Sequence, residues 1–406
     1  MLTYQQALST ILTIPFALGE ETTPLLDATG RTLASAPQAR YPLPRFTQSS
    51  MDGIAIRASD TAAASAANPA RLTLVGESAA GHPFSGMLQP GQATRISTGA
   101  RIPDGADAVV PIEKVRLDGD SAALLESPSS PGAFIRREGE DVATGANLLA
   151  RATPLGPAQI AFLASFNIPS VRTFKPPRIG IMSSGDEVKM LGAKLAETEI
   201  IGSSLYYLER EFAACGCEPR IFGISPDNAA AFRAMLEEAL AWSDIVVTTA
   251  GVSVGEHDVV GLVLRDLGAE LLFWRVSVRP GKPMLVARVG GKPLFGLPGN
   301  PVSTICNTEI FVKPFLRAAF GHSQPVPLLE KIRLASACQR DANRLFFTYA
   351  QRIIVDGYAT ASPLPRQSSA NMANPAIADG LIVLEAGAEP LAAGDWVDWM
   401  PLRAGL

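Results

Sequence analysis

The chain has 406 residues, with 35 basic and 39 acidic side chains and a formal net charge of −4. So small an imbalance excludes the strongly basic surface of a nucleic-acid binder and the charge excess of a disordered chain. Hydrophobic residues make up 47% and charged residues 18%, enough for buried cores in two or three domains at roughly 150 residues each. Four Cys do not build a disulfide scaffold, and the 35 Gly and 32 Pro argue for many turns rather than long helical arrays.

No window approaches the ~18 consecutive apolar residues of a membrane span. The apolar stretch Ile11 to Gly19 is short and interrupted by Pro15. The first basic residue is Arg31, so the N-terminus lacks the charged start of a secretory signal. The expectation is a cytoplasmic protein with reduced thiols. Cys215 and Cys217 read as small buried hydrophobes, and His82, His257 and His322 are too far apart in sequence for a zinc constellation.

In chain order, the spacing predicts a helix over Tyr4 to Leu12 and a second, short one over Leu26 to Ser35. Between Tyr41 and Asp141, β-rich pieces (Gly53 to Ile56, Arg71 to Val75, Ala106 to Pro111, Ala122 to Leu125) alternate with Pro/Gly turns, and Ala-rich Thr61 to Ala70 reads as a loop. From Lys175 strands and helices alternate. Strands are expected at Arg178 to Met182, Pro219 to Ile224, Asp244 to Thr249, Leu271 to Val276, Met284 to Val289 and Leu294 to Leu297. Helices are expected at Ser204 to Cys215, Asn228 to Ala241, Asp258 to Leu267 and Val302 to Phe320. That alternation predicts a mostly parallel, doubly wound sheet. After Pro327 short strands return (Lys331 to Ala337, Phe346 to Ile354, Gly380 to Leu384, Trp396 to Met400) and suggest a small β domain.

Doubly wound sheets bind ligands where strand ends lead into helix N-termini. Three such loops are rich in Gly, Ser and acids: Ser183-Ser184-Gly185-Asp186-Glu187, then Ala250 through Gly251, Ser253 and Gly255 to Asp258, then Leu297-Pro298-Gly299-Asn300-Pro301-Val302-Ser303. Glycines admit a ligand close to the backbone, and helix starts attract anions. Carboxylates beside them would repel a phosphate unless a divalent cation intervenes, which points to a phosphorylated ligand held with Mg2+. Each loop taken singly is equally well explained as helix caps (Asp258, Ser303) and a turn glycine (Gly185). Gly251-Val-Ser253-Val-Gly255 also matches the nucleophile elbow of serine hydrolases, but the expected helix starts too late, at Asp258, and the only downstream His is His322. A basic loop, Arg279-Pro280-Gly281-Lys282-Pro283, suits a small oxyanion, or else is a charged hairpin turn.

Taken together these motifs resemble the molybdopterin molybdenumtransferase family, of the MoeA and gephyrin E-domain type. Seven pieces run in the family's order: Ser50-Met51-Asp52-Gly53, Ser97-Thr98-Gly99-Ala100, Arg136-Arg137-Glu138-Gly139-Glu140-Asp141, Ser184-Gly185-Asp186-Glu187, Gly251-Val252-Ser253-Val254-Gly255, Pro280-Gly281-Lys282-Pro283 and Leu297-Pro298-Gly299-Asn300-Pro301. The resemblance implies a multidomain α/β protein: a linker domain from 1–40 and 142–174, a β-rich insertion at 41–141, a doubly wound molybdopterin-binding α/β/α core at 175–324 and a C-terminal β-barrel at 325–406. It implies a homodimer whose site lies between the core of one subunit and the insertion of the other. The implied reaction inserts molybdate into adenylylated molybdopterin and releases AMP. The molybdopterin adenylyltransferase and acceptor molybdoenzymes would be further partners.

By the same resemblance Asp186, Glu187, Asp227 and Asp258 would engage the pterin phosphates through Mg2+ or position water, the metal set being Glu187, Asp227 and Asp258. Asp52 and Asp141 would reach in from the partner insertion. Arg279, Lys282, Pro283 and Ser369 would take molybdate, with Thr98, Ser184, Gly185, Gly251, Ser253 and Pro298 in support. The chain departs from the family pattern at Thr47 (commonly Asp), Ile54 (commonly aromatic), Gly202-Ser203-Ser204 (commonly Asp-Ser/Thr-Asn), Arg279 (commonly Lys) and Tyr349 (commonly Arg). Those departures leave a second reading open, a molybdopterin-binding paralogue without insertase activity.

Overall fold

The computed structural model describes the chain except residues 129, 251–258 and 403–406. The residues separate into two compact units, one of 1–35, 151–160 and 169–406, the other of 36–150 and 161–168.

The larger unit is built on a six-stranded sheet. Its spatial order is Glu218–Ser225, Arg178–Ser184, Ile245–Thr249, Lys292–Leu297, Leu285–Val289, Glu270–Trp274. The first four strands pair in parallel. Leu285–Val289 runs against both neighbours, because the Gly290–Gly291 turn folds it back directly onto Lys292–Leu297. Side chains alternate across the pleat, and the burial follows. Ile179, Ile181, Ile245, Val247, Phe295 and Leu297 pack with Leu205, Leu208 and Phe212 of the Ser203–Ala214 helix and with the long helix after Asn300. Met182, Val246, Leu285, Ala287 and Leu294 pack instead with Phe232 and Leu236 of the Ala229–Trp242 helix and Val260, Val263 and Leu264 of the Val259–Asp266 helix. Helices thus cover both faces, as the doubly wound expectation required.

The long helix is not uniform. An α segment Pro301–Asn307 passes through a π-helical stretch, Thr308–Val312, into Lys313–Ala319. Around that stretch lies a buried ionic cluster. Lys313 Nζ, fully buried, stands 2.7 Å from Glu211 Oε1 and 2.9 Å from Glu309 Oε2, and the Tyr207 hydroxyl donates to Glu309 at 3.1 Å. Burial pushes the Glu309 carboxyl up, against the pull of Lys313. Groups so placed hold two helices in one register, since unpairing a buried charge is expensive.

C-terminal to the sheet, Leu345–Val355, Tyr358–Pro363, Glu330–Leu334, Trp396–Pro401 and Gly380–Leu384 pair in that order, and the last returns to pair with the first. The result is a closed five-stranded barrel, a form that leaves no open sheet edge. The two-residue strand Val278–Arg279 runs parallel to Leu345 and Phe346, so the basic loop is anchored to the barrel.

The second unit carries a six-stranded sheet in the order Ala108–Pro111, Gly53–Ile56, Gln92–Ile96, Ala70–Ser78, Ser121–Leu124, Val115–Asp118, around Ile54, Ile56, Leu72, Ala93, Val110 and Leu124.

The second predicted helix does not form. A single 3-10 turn covers Leu25–Ala28, and Gly30 then adopts a left-handed φ of 79°. Beyond it the chain is extended, with Gly30 N–H and Leu33 N–H donating to Leu155 and Thr153. The apolar spacing there serves a strand-like segment, and the glycine interrupts any helix. Among the described residues no helix is long and apolar enough to cross a membrane.

Candidate functional site

A cavity of about 1240 Å3 opens at the carboxyl ends of the parallel strands. Its walls include Ser183 at the end of the Arg178–Ser184 strand and Glu187 beyond it, Thr249 and Ala250, the Arg279–Pro283 loop, residues 298–303 at the start of the long helix, the barrel residue Tyr349, and Arg344 and Arg366 from loops beside barrel strands. This is the strand-end crevice that doubly wound sheets use for ligands.

The acidic wall depends on Gly185. Its φ is 133° and its N–H donates to Ser225 O at 3.1 Å. A Cβ there would meet Glu187 Oε2 at 2.7 Å and Val188 Cγ2 at 2.9 Å, so only glycine lets the chain turn with the Glu187 carboxylate folded against it. Asp186 points elsewhere. Its Oδ1 accepts from the Asp227 N–H at 3.2 Å, and with Gly185, Lys189 and Pro226 it lines a smaller recess of about 300 Å3. Ser184 is buried at the strand end and does not line the large cavity. Ser183 does, held by the Thr249 hydroxyl at 2.9 Å.

The cationic wall is set by packing of the loop on the long helix. Gly281 (φ 105°) has Asn307 Oδ1 2.1 Å from where a Cβ would sit, and its carbonyl accepts from Asn307 Nδ2 at 3.0 Å. Asn307 Oδ1 is buried without a hydrogen-bond partner among the described residues. Lys282 follows at the cavity wall, and neither it nor Arg366 has an ion-pair partner among the described residues. Arg366 sits at φ 52°, a conformation that non-glycine residues adopt at a cost and that clusters at functional sites. Arg279 lies 4.5 Å over the Phe346 ring and bonds Asp341.

The helix entry closes the third side. Thr304 Oγ1 donates to Pro298 O at 2.5 Å, and Asn300 Nδ2 donates to Ser369 Oγ at 3.3 Å, tying the barrel residue to the loop. Tyr349, where an arginine is common in the resembling family, is buried and its hydroxyl donates to Val302 O at 3.2 Å. At Gly202 a Cβ would meet Val188 Cγ1 at 2.9 Å. The absence of a larger residue at that helix entry therefore matches the packing of its neighbour.

Of the sequence candidates, the cavity brings together Glu187, Arg279, Lys282, Pro283, Pro298 and Ser369. Gly185 and Asp186 line the adjoining recess, with Asp227 beside them. Gly251, Ser253 and Asp258, and with them the hydrolase-like elbow, lie outside the described residues. Asp52, Thr98 and Asp141 belong to the other unit. There the Thr98 N–H donates to Asp52 Oδ1 at 2.6 Å, and Asp141 pairs with Arg136. Sequence reasoning did not select Arg366, Gln367 or Asp341. Arg344 it noted only as a neighbour of Tyr349. Each is an ordinary polar residue in a loop beside a barrel strand; the barrel brings Arg344, Arg366 and Gln367 to the cavity, and Asp341 bonds Arg279 and Arg344 there.

Asp186, Glu187 and Asp227 offer hard carboxylate oxygens, yet no three metal-binding side chains among the described residues converge on one point. Mg2+ keeps several waters and binds through one or two carboxylates plus phosphate oxygens rather than in a protein cage. The four cysteines are free and buried, and burial pushes the Cys215 thiol up to about 12.

Comparison with known proteins identifies the family. Residues 2–167 match the MoeA N-terminal region (domain I and II), 180–318 a probable molybdopterin binding domain, and 331–402 the MoeA C-terminal region (domain IV). The molybdopterin molybdenumtransferase of Nostoc sp. is 35% identical over 389 residues, covering 94% of this chain and 89% of that protein. The Bacillus subtilis molybdopterin molybdenumtransferase is 33% identical over 93% of this chain and 89% of its own length. The crystal structure of the molybdopterin biosynthesis moeA protein from Pyrococcus horikoshii OT3 superposes with a TM-score of 0.85 at 28% identity, covering 99% of this chain and all of that one. With all three regions matched in order and relatives this similar over nearly their whole length, the chain belongs to the molybdopterin molybdenumtransferase family.

Proposed function

We propose that this protein inserts molybdate into adenylylated molybdopterin and releases AMP. The observation that carries the reading is a strand-end cavity with the Glu187 carboxylate on one side and the cations Arg279, Lys282, Arg344 and Arg366 on the other, in a chain of this family. The task is to bring a dianionic oxyanion to a phosphorylated dithiolate. Like charges must be screened and the reactants held in place, and no covalent nucleophile is needed.

In this reading Arg279 and Lys282 bind molybdate, with Ser369 and the backbone around Pro283 and Pro298 as neutral contacts. Lys282 acts as a point charge and Arg279 as a planar fork. Glu187 orients water at the adenylate bond. Asp186 and Asp227, with Glu187 and Asp258, would hold Mg2+, whose charge offsets that of the phosphates. Ser184, Gly185, Thr98, Gly251 and Ser253 complete the pterin contacts. A cytoplasmic setting accords with four free, buried thiols.

The proposal extends to a homodimer in which Asp52 and Asp141 of one subunit serve the cavity of the other. Mixing two inactive variants, Asp52→Ala and Lys282→Ala, should restore activity through hybrid dimers, and no recovery from co-refolded chains would contradict the shared site. The insertion reaction itself is tested by incubating pure protein with adenylylated molybdopterin, Mg2+ and molybdate. The expected result is molybdate-dependent AMP release. Tight pterin binding without it would instead favour the non-catalytic paralogue, a reading that the Gly202 and Tyr349 departures keep open.

A further inference from the structure

Two helices from different parts of the chain begin at the cavity. The Ser203–Ala214 helix brings Ser203 and Ser204 to its wall, and the long helix brings Val302 and Ser303. The two pack against each other, and the buried ionic cluster joins them one turn beyond Ser203. The Tyr207 hydroxyl donates to Glu309 Oε1 at 3.1 Å. Lys313 Nζ stands 3.1 Å from that same oxygen and 2.7 Å from Glu211 Oε1. Tyr207 and Glu211 belong to one helix, Glu309 and Lys313 to the other, so the Tyr207–Glu309 and Lys313–Glu211 bonds cross-link the pair.

Stability alone does not call for such a cluster. Apolar side chains of similar volume stabilise a core as well as a buried ion pair does, or better, whereas hydrogen-bonded charges tolerate one arrangement. Burial lowers Lys313, but Glu309 and Glu211 outweigh it and hold the ammonium charged. Burial pushes the Tyr207 hydroxyl up, so it stays a neutral donor. The cluster also sits where the long helix leaves α geometry. On the cavity side of the π-helical stretch, Thr304 ties the helix to Pro298 and Asn307 ties it to Gly281. From Glu309 onward its polar ties are to the Ser203–Ala214 helix. An i to i+5 stretch changes the facing of the residues that follow it, which lets one helix hold both sets of partners. The long helix is thus anchored to the cavity loops by its own side chains, and the place of the Ser203–Ala214 helix depends on the cluster.

We propose that Tyr207, Glu309 and Lys313 are positioning residues for the phosphorylated pterin: they hold the Ser203–Ser204 helix start against the Val302–Ser303 start and so set the wall that binds the pterin, without touching it. The proposal rests on the reading of this cavity as the insertion site. Because Asn307 ties the basic loop to the long helix ahead of the cluster, loosening the cluster weakens pterin binding and spares molybdate.

The test is steady-state AMP release by the purified full-length protein with Mg2+, titrating adenylylated molybdopterin and molybdate separately and recording the melting temperature of each variant. Tyr207→Phe removes one hydroxyl and no charge. It should raise KM for the adenylylated pterin by about tenfold and leave kcat and half-saturating molybdate within about twofold. Glu309→Ala, which breaks the bonds to both Tyr207 and Lys313, should raise that KM by about a hundredfold; if it does not fold, Tyr207→Phe decides. Glu309→Gln keeps an acceptor for Tyr207 and leaves Lys313 paired with Glu211, so its KM should stay within about threefold of wild type. Leu236→Val, in the core on the other face of the sheet, should lower the melting temperature and keep the pterin KM within about twofold. An unchanged pterin KM in Tyr207→Phe, an equal rise in half-saturating molybdate, or an equal rise in KM in Leu236→Val at matched melting temperature would each overturn the proposal and leave the cluster a structural role only. Wild-type protein that releases no AMP would defeat the reading of the cavity, and the proposal with it, which is a distinct result.

Discussion

The two walls of the cavity are built in different ways. The acidic wall is local: Glu187 lines it two residues beyond a strand-end glycine, with Asp186 turned into the adjoining recess, and the left-handed Gly185 sets their geometry. The cationic wall is assembled from distant parts of the chain. The Gly281 turn that leads into Lys282 is seated by Asn307 of the long helix, while Arg279 is held by Asp341 and by Phe346 of the barrel. A wall made from one turn places its groups by backbone constraint, and a wall made from three elements places them by packing. The first suits a group that must hold one orientation through a reaction. The second can gather several cations around an anion at the meeting of sheet and barrel.

That contrast can be broken most severely at Lys282. Lys282→Ala should lower kcat/KM for molybdate by about a thousandfold, since an exposed cation with no ion-pair partner among the described residues is lost from the oxyanion's surroundings. The readout is the molybdate dependence of AMP release, with the melting temperature unchanged. Glu187→Gln should act differently, lowering kcat by about a hundredfold while leaving half-saturating molybdate within about twofold, as expected of a group that acts on the adenylate bond. Equal effects on both parameters in both variants would erase the distinction between the walls.

Packing of the cationic wall is probed by Gly281→Ala. The added methyl group meets Asn307 Oδ1 in a left-handed conformation, so unfolding free energy should fall by about 2 kcal/mol. Half-saturating molybdate should rise by about tenfold at the same time. Denaturant melts and the AMP assay check the two effects on one sample.

The smallest effect concerns acid. Burial raises the Asp341 carboxyl, but the hydrogen bond from Arg344, the Asn343 N–H, the Arg344 charge and Arg279 together outweigh it and hold the group below its usual range. The native state then binds its proton less readily than the unfolded chain, so these contacts stabilise above about pH 4 and are lost as pH falls through the folded value. Melting temperatures between pH 6 and 3 should show an acid-side slope that is shallower in Asp341→Asn.

What could be read from the sequence follows the same division. Strand-end loops of a doubly wound sheet announce themselves by Gly, Ser and acids between an apolar run and a helix, so Glu187, Asp186 and the Arg279–Pro283 loop were visible. The helix at Tyr4–Leu12 and the strand at Gly380–Leu384 have the predicted bounds, because each is a short apolar pattern with clear stops. The Leu26 to Ser35 prediction failed where apolar spacing was read without weighing Gly30. The strand Tyr358–Pro363 was missed because it returns after a two-residue turn at Asp356-Gly357 and has little apolar alternation. Asp341, Arg344 and Arg366 left no signal, since their meaning comes from the barrel closing against the sheet. The π-helical stretch at Thr308–Val312 was equally hidden inside an ordinary helical pattern.

The most direct test of the two-wall account is the molybdate titration of AMP release in Lys282→Ala and Glu187→Gln measured side by side. The account predicts that Lys282→Ala shifts the titration to much higher molybdate, while Glu187→Gln keeps the midpoint and loses amplitude. A shifted midpoint in Glu187→Gln with an unshifted one in Lys282→Ala would contradict it.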